Sequence, residues 1–333
     1  MLIYWRCVSF IRHFLLIQVA LFPIRTDAQH YNKELTSNYP FRIPRLCFIS
    51  VKPKGSIIMS MANIFAESQA LPHIPRVVQE LIESFRDDDV NVDEISNKVA
   101  LDQALTAKVL RLANSAHYGV SRTVSNPHDA IMLLGFNTLR TMVLASGVTG
   151  AFKAPEGFDQ RKFWHDSFAI GALSKWIAAY VKDCDRETAF TCGMLHSIGM
   201  LLMHMVMADE IKSIDDAEAM GGKRHTLETS LLGYNYADVG AELAKRWKFP
   251  EEMQQAILQQ HHPETDQPYS KLAGVIYIAK YLKEAHEKDW TDEQIIEHFP
   301  LTVAEAIGMD TTRAYADVAK TNSLESGLDS LLE

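Results

Sequence analysis

The heptapeptide Gly193-Met-Leu-His-Ser-Ile-Gly199 is the stretch around which the rest of the chain is organised. It lies in a predicted helix, for which Asp185 is a suitable N-cap and Glu187 a favourable acidic residue in the first turn. A buried His followed by Asp makes a good metal pair, because imidazole and carboxylate both suit a divalent ion. Here Ser197 follows His196, and a neutral hydroxyl is a poor ligand for such an ion. The functional question is therefore whether this site holds a metal.

Composition limits the class of protein. The chain has 333 residues, of which 47% are apolar, so it is long enough for one large domain or two ordinary ones. Its net charge is −9 and its lysines and arginines are scattered, which argues against nucleic-acid binding. The four cysteines form no CxxC pair and no dense framework. This pattern predicts reduced thiols in a cytoplasmic protein, with neither a zinc site nor a disulfide scaffold.

Residues 1–58 differ from the rest of the chain. Two arginines flank a short apolar run that ends at Pro23, and small Ala28 lies near a candidate cleavage point, which is the outline of a signal peptide. The run is too short and too interrupted for a membrane span. Three interpretations stay open: translation starts at Met59 or Met61, the segment is a cleaved or anchoring signal, or it is a structured extension.

From residue 70 onward the apolar spacing is helical, and no convincing strand pattern appears in the first half of the chain. Asn126 before Pro127 predicts a capped helix start, and Asn137 is predicted to cap the helix that follows. The glycines and proline of 150–160 mark the best internal boundary. Further helices are predicted at 161–181, 186–208, 224–232, 236–248, from Pro250, and at 270–286, followed by two short ones and an acidic tail.

Six short motifs follow one another in this part of the chain. They are Leu71-Pro-His-Ile-Pro75, Ala107-Lys-Val-Leu-Arg-Leu-Ala-Asn-Ser115, Asp129-Ala-Ile-Met-Leu-Leu-Gly135, Phe163-Trp-His-Asp-Ser167, the 193–199 heptapeptide, and Trp247 to Pro250 with His261-His262-Pro263. Together they resemble the HDOD family over about residues 65–290. These proteins are non-catalytic relatives of the HD-superfamily metal-dependent phosphohydrolases. The resemblance implies an all-α fold and a regulatory or signalling role.

The resemblance also indicates how the catalytic residues of those relatives map onto this chain. Asp166 falls where the first metal-binding His would be, and His165 lies one residue out of register. His196 matches the His of the His-Asp pair, while Ser197 replaces its Asp. Tyr236 falls where some relatives carry another His. The final Asp would fall near Lys280 or Tyr281, neither of which is a plausible metal ligand.

The residual metal candidates are thus His196, His261 and Asp166. A catalytic metal normally needs at least three fixed protein ligands and an open position. An ammonium group of Lys280 near the site would repel a dication, or could fill its place. We therefore expect no metal, no cofactor and no catalytic residue.

Each candidate site residue has a functional interpretation and a structural one, and both stay open. His196 either binds a metal or is a hydrogen-bonded core histidine. His261 and His262 are either residual ligands or partners of a helix C-terminus. His165 and Asp166 either form a polar pair at a pocket rim or lie in a solvated turn. Asn114 and Ser115 either receive a partner or satisfy backbone groups at a helix end.

The predicted fold is all-α. An HDOD domain at 62–310 comprises an N-terminal lobe at 62–150 and a degenerate HD lobe at 158–310, with a pocket at their seam and an acidic tail at 311–333. The predicted function is a cytoplasmic, bacterial-type regulatory module. It binds a protein partner in trans or a small ligand through Asn114, Ser115, His165, Asp166, His196, His261 and His262, without nucleic acid or membrane. The competing hypothesis is a metal-dependent phosphohydrolase acting on a nucleotide or cyclic dinucleotide. A secreted or anchored protein is a third, supported only by residues 1–28.

Overall fold

The computed structural model describes residues 60–66, 72–83, 91–114, 119, 121–153, 155–263 and 268–324. All of them lie in one compact unit that begins at Ile57. The predictions for the extension 1–58, for Ser115 and for the last residues of the tail fall outside the described residues.

The described residues form helices joined by turns and connections, which confirms the prediction of an all-α fold. No β-strand occurs among them, although an isolated antiparallel bridge joins Val181 to Met309. In chain order the helices are α1 Met61–Ala66, α2 Arg76–Glu83, α3 Val92–Leu101, α4 Gln103–Ala113, α5 Pro127–Leu134, α6 Phe136–Ala151, α7 Gln160–Ala178, α8 Arg186–Leu195, α9 Ile198–Val206, α10 Ala208–Ala219, α11 Arg224–Leu232, α12 Tyr236–Arg246, α13 Glu251–Leu258, α14 Lys271–Glu287, α15 Asp292–Glu297, α16 Leu301–Ala306 and α17 Thr311–Ala316.

Side-chain caps account for many of the helix starts. Asp185 accepts a hydrogen bond from Thr188 N at 2.7 Å, so the predicted N-cap of α8 is confirmed. Asn126 likewise caps α5, with Pro127 at the first helical position. The prediction for Asn137 is wrong, because α6 already begins at Phe136. Gly135, at a φ of 84°, separates α5 from α6, so no side-chain cap is made there.

The core is built around α7 and α8, which pack along each other, with α14 crossing α7. Phe168 of α7 and Phe190 of α8 are almost fully buried, and their ring centroids are 6.3 Å apart. The most apolar run of the described residues, Arg186–Val206, is by length and composition able to cross a membrane. Because 78% of it is buried inside the protein, it is accounted for as core.

The predicted helix 186–208 is in fact two helices, α8 and α9, separated by a turn at His196 and Ser197. The backbone N of His196 bonds to Gly193 O, three residues back, instead of following the four-residue pattern. The His196 ring occupies the same carbonyl oxygen through Nδ1, at 2.7 Å. Apolar spacing does not reveal this break, since the buried face continues on both sides of it.

Gly199 sets how closely α9 approaches α12. A Cβ at this position would lie 2.1 Å from Tyr236 O and 2.4 Å from Gly240 N, both of which are backbone atoms. No larger residue fits without moving one helix. The glycine that ends the heptapeptide therefore brings the His196–Ser197 turn against the start of α12, where Tyr236 lies.

The C-terminal region is more ordered than predicted. Instead of two short helices, α15, α16 and α17 are followed by a 3-10 helix at Val318–Ser323. Residues 311–324, which the sequence assigned to an acidic tail, pack on the core through buried Ala314 and Val318. Tyr180 OH also donates to Asp317 at 2.7 Å. The short helices carry too few apolar residues each to give a clear periodic signal.

The predicted two-lobe division stays a prediction. Buried residues from both ranges, 62–150 and 158–310, belong to one hydrophobic cluster. A cavity of about 490 Å³ lies where the two ranges meet, between the α2 entrance and the end of α12. It is lined by Pro72, His73, Ile74, Gln79, Leu243, Arg246 and Trp247. None of the candidate site residues lines it.

Candidate functional site

His196 lies at the end of α8 with only 8% of its surface exposed. Burial and then the nearby charge of Lys280 lower the pKa of His196 to about 3, so the ring is neutral. A carbonyl oxygen only accepts, so the 2.7 Å contact with Gly193 O places the proton on Nδ1. The neutral ring is therefore fixed in orientation by its own turn.

Ser197 is buried beside His196, and its Oγ lies 3.3 Å from Ser167 Oγ on α7. Two hydroxyls can satisfy each other, since each can donate and accept. The position that would carry a metal-binding carboxylate in a His-Asp pair thus belongs to a neutral hydrogen-bonded pair that joins α7 to the turn.

Lys280 of α14 occupies the centre of the site. Its Nζ is within hydrogen-bonding distance of Tyr236 Oη at 3.1 Å, Gln260 Oε1 at 3.2 Å and His261 Nδ1 at 3.4 Å. Gln260 in turn donates through Nε2 to the carbonyl oxygen of His196 at 2.7 Å. Burial lowers the pKa of Lys280 to about 8, which still leaves the amine mostly protonated at neutral pH. A positive charge therefore lies next to the degenerate pair.

His261 and His225 stack on each other beside Lys280, with ring centroids 4.1 Å apart. His262 is exposed, with its ring 5.8 Å from that of His225. Burial, followed by the charge of Lys280, lowers the pKa of His225 to about 4 and holds the pKa of His261 well below its usual range. Because Lys280 donates to Nδ1 of His261, the ring proton lies on Nε2, which is buried and has no hydrogen-bond partner.

Asp166 lies at the edge of this group and is paired with two lysines. Its carboxylate is 2.6 Å from Lys162 Nζ and 3.5 Å from Lys283 Nζ. His165 Nδ1 lies 3.7 Å from the same carboxylate. Asp166 acts on His196 through charge, since it partly opposes the lowering of that pKa. The structure thus brings His196, His261 and Asp166 into one region, with the two lysines holding the acid.

Asn114 is fully engaged in local structure. Its side-chain amide donates to Leu110 O at 2.7 Å and to Val124 O at 2.9 Å, and its Oδ1 accepts from Val124 N at 2.8 Å. These contacts tie the segment before α5 to the end of α4. This is the arrangement expected of a helix terminus whose side chain satisfies backbone groups. Its neighbour Ser115 is outside the described residues.

A buried acid, which the sequence does not single out, lies under Tyr236. Glu228 of α11 accepts from Tyr236 N at 2.7 Å and pairs with Arg224, which also contacts Asp215 and Glu218. Burial raises the pKa of Glu228 to about 7. His225 and Gln260 are equally unmarked in the sequence, because neither lies in a recognisable motif. Their role depends on contacts between residues that are far apart in the chain.

The side chains of this site do not fit a divalent cation. Within the described ranges, no group of three or more His, Cys, Asp or Glu residues is placed to hold a metal. His261 Nδ1 accepts from an ammonium group, and the carboxylate of Asp166 is paired with two lysines. A site with one buried imidazole, and a second one bonded to an ammonium group, lacks the ligands and the negative charge that a divalent ion needs.

Comparison with known proteins agrees with the fold. The sequence model of the HDOD domain family matches residues 71–263, which is more than half of the chain. The fold is all-helical among the described residues, and the chain belongs to the HDOD domain family.

Two curated proteins and two solved structures illustrate the relationship. An uncharacterised protein of Treponema pallidum is 24% identical over 238 residues, covering 69% of this chain and 46% of that protein. The cyclic di-GMP phosphodiesterase CdgJ of Vibrio cholerae is 25% identical over 201 residues, which cover 51% of this chain and 45% of that protein. The matched regions therefore span just under half the length of these curated relatives.

The first structure, from Shewanella amazonensis and provisionally named a phosphohydrolase, is 34% identical with a TM-score of 0.71. The match covers 81% of this chain and 98% of the chain in that structure. The second, an HDOD protein of unknown function from Geobacter sulfurreducens, is 21% identical with a TM-score of 0.66. It covers 80% of this chain and 97% of its own, and it shows the shared fold.

Proposed function

We propose that this chain is a regulatory module of signal transduction that binds a protein partner or a small ligand at the degenerate HD site and performs no chemical step. The observation that carries the proposal is the buried ammonium group of Lys280. It contacts His261 directly and influences the pKa of His196. A module of this kind acts through what it binds, so its partner is supplied in trans.

Electrostatics supports the absence of a metal-assisted reaction. Two unit charges 4 Å apart interact by about 4 kcal/mol at an effective dielectric constant of 20, and a dication doubles that value. A divalent ion at the His196–His261 position would meet this repulsion from Lys280. It would also lack the carboxylate that Ser197 replaces. The repulsion from Lys280 and the missing carboxylate would both weaken the binding of a divalent ion.

The alternative is a metal-dependent phosphohydrolase acting on a nucleotide or cyclic dinucleotide. It is favoured by the 34% identity to the Shewanella structure provisionally named a phosphohydrolase and by the 25% identity to a protein named as a cyclic di-GMP phosphodiesterase. The matched region is 45% of that protein, so the named activity need not reside in the shared part. It would require Lys280 to lose its proton or move away.

We also propose a cytoplasmic setting without nucleic acid or membrane as partner. Cys184 and Cys192 support it, because both are free thiols in the part of the chain that the structure describes, as is usual in a reducing compartment. The scattered cations and the net charge of −9 support the absence of nucleic acid.

The test measures bound metal and turnover on the full chain purified without chelator. We expect no stoichiometric divalent metal by mass spectrometry and no hydrolysis of cyclic di-GMP with added Mn²⁺ or Mg²⁺. The variant His196→Ala is compared with His128→Ala, whose side chain is largely exposed on α5. Stoichiometric metal and hydrolysis that both disappear in His196→Ala, but persist in His128→Ala, would establish the phosphohydrolase instead.

A further inference from the structure

Unlike Arg224 and Lys283, Lys280 has no acid beside it among the described residues. Arg224 pairs with three carboxylates, and Lys283 pairs with Asp166 and Glu287. Lys280 has only neutral partners, and no carboxylate of the described residues lies within ion-pairing distance of its Nζ. A buried charge is costly unless an opposite charge accompanies it. The structure therefore holds a positive charge that lacks a counter-ion.

A hydrogen-bond donor without a partner lies beside this charge. The Nε2–H of His261 is buried and unpartnered. The half-buried ring of His225 stacks on that of His261. His262 is exposed on the other side of His225. The group thus extends from the ammonium of Lys280 through two stacked rings to the exposed ring of His262.

We propose that this group, Lys280 with His261 and His225, binds the phosphate group of a small molecule. The proposal rests on the proposed function, because it names the ligand class of the same non-catalytic site. A phosphate carries up to two negative charges and several acceptor oxygens, so it can use an ammonium and separate N–H donors from different directions. A carboxylate is better matched by the planar fork of an arginine, which this group does not contain.

Residues near the His196–Ser197 turn also favour an anion at this site. Gln260 holds Lys280 through its Oε1 and the His196 carbonyl through its Nε2, so it links the ammonium to the heptapeptide turn. Ser197 brings no negative charge that would repel an anion or neutralise the lysine. The substitutions that remove a metal site thus leave a site of the opposite preference.

The experiment titrates the full chain with sodium phosphate in the presence of EDTA, against sodium chloride of equal ionic strength, by calorimetry and thermal denaturation. We expect phosphate to bind with a stoichiometry of one and to raise the melting temperature. Lys280→Met and His261→Phe, which keeps an aromatic ring but removes the N–H, should each weaken binding at least tenfold. Lys271→Met removes the same charge from the exposed start of α14 and should bind as the wild type does.

A second arm uses 5′-GMP to identify the source of the phosphate. Tighter binding of 5′-GMP than of phosphate indicates a phosphate ester as the ligand, and equal binding indicates free phosphate; either result supports the site. No binding to the wild-type chain, or equal stabilisation of the Lys280 and Lys271 variants, would overturn it. Inorganic phosphate cannot be hydrolysed and EDTA removes metals. Absence of phosphate binding would therefore overturn this site without contradicting the proposed non-catalytic function. Failure of the proposed function would instead be seen as metal-dependent turnover.

Discussion

At the scale of single residues, Glu228 shows how burial controls charge in this protein. Its carboxylate has no exposed surface, yet it accepts a hydrogen bond from Tyr236 N and pairs with Arg224. Burial is the largest influence and raises its pKa from 4.5 to about 7. The folded protein therefore retains a proton on Glu228 under conditions where the unfolded chain has lost it.

This difference makes stability depend on pH. Between about pH 4.5 and pH 7 the folded state binds more protons than the unfolded state, so stability falls as pH rises. Glu228→Gln resembles the protonated acid and lacks this loss. The variant should gain on the order of 1–3 kcal/mol relative to wild type between pH 5 and pH 8, since one pKa unit corresponds to about 1.4 kcal/mol. Urea unfolding at each pH measures it.

Glu218→Gln is the matched control, because Glu218 contacts the same Arg224 from a more exposed position. It should show little change in the pH dependence. If Glu228→Gln instead loses stability relative to the wild type on going from pH 5 to pH 8, the ion pair with Arg224 outweighs burial at this position.

At the scale of secondary-structure elements, the contact of α9 with α12 positions the candidate site. Gly199 and Gly240 face each other across this contact, and a Cβ at Gly199 would overlap backbone atoms. Ser197 directly precedes α9, and Tyr236 begins α12. The distance between these two elements therefore fixes the distance between the turn and the Tyr236–Lys280 pair.

Gly199→Ala should destabilise the protein by about 1–3 kcal/mol, the usual effect of forcing an extra carbon into a packed interior. The change should also weaken any ligand bound at Lys280, because α12 is displaced. Gly150→Ala is the control, since its added Cβ would meet only the mobile end of Lys108 at 3.0 Å. That variant should be neutral or slightly stabilising through helix propensity. Equal unfolding free energies for the two variants would contradict the close approach described here.

At the scale of the whole molecule, Phe152 of the predicted boundary segment 150–160 packs against residues that the sequence places in the second lobe. Phe152 follows α6 and is 3% exposed. Its ring lies edge-on to Trp164 of α7 at 6.2 Å and to Trp247 after α12 at 6.1 Å. Because Phe152 directly follows α6 of the predicted first lobe and packs on two tryptophans of the second, it favours unfolding of the compact unit in one step.

Phe152→Ala should cost about 3–5 kcal/mol, as expected for a large aromatic side chain removed from a core. In a Trp5→Phe background, tryptophan fluorescence reports only on the compact unit. Its unfolding curve should coincide with that of far-UV circular dichroism before and after the Phe152 change. Lys153→Ala, one residue along and exposed, should leave both curves in place. Two separated transitions would show lobes that fold independently.

Much of the fold was predictable because its signals are local. Helical spacing and the Asp185 and Asn126 caps located several helices, and the six motifs located the family. The break at His196 was missed, since it depends on a ring competing for a backbone carbonyl. The C-terminal helices were too short for a periodic signal.

The candidate site was predictable only in part. The resemblance indicated His196, Ser197 and the neighbourhood of Lys280, because each corresponds to a position of a motif. His225, Gln260 and Glu228 were not found, since their importance arises from packing between distant segments and no local pattern marks them. The partners of Asp166 likewise come from α7 and α14 together.

The Gly193–Gly199 heptapeptide has an evolutionary consequence. Its histidine closes its own turn and its last glycine admits a neighbouring helix, so both are needed by the architecture even when no reaction takes place. The acid after the histidine has no such duty here. A lineage that abandons catalysis is therefore free to lose the acid while retaining the rest of the motif. Motif searches that weight the histidine and the glycines will group chains that carry the acid with chains that lack it.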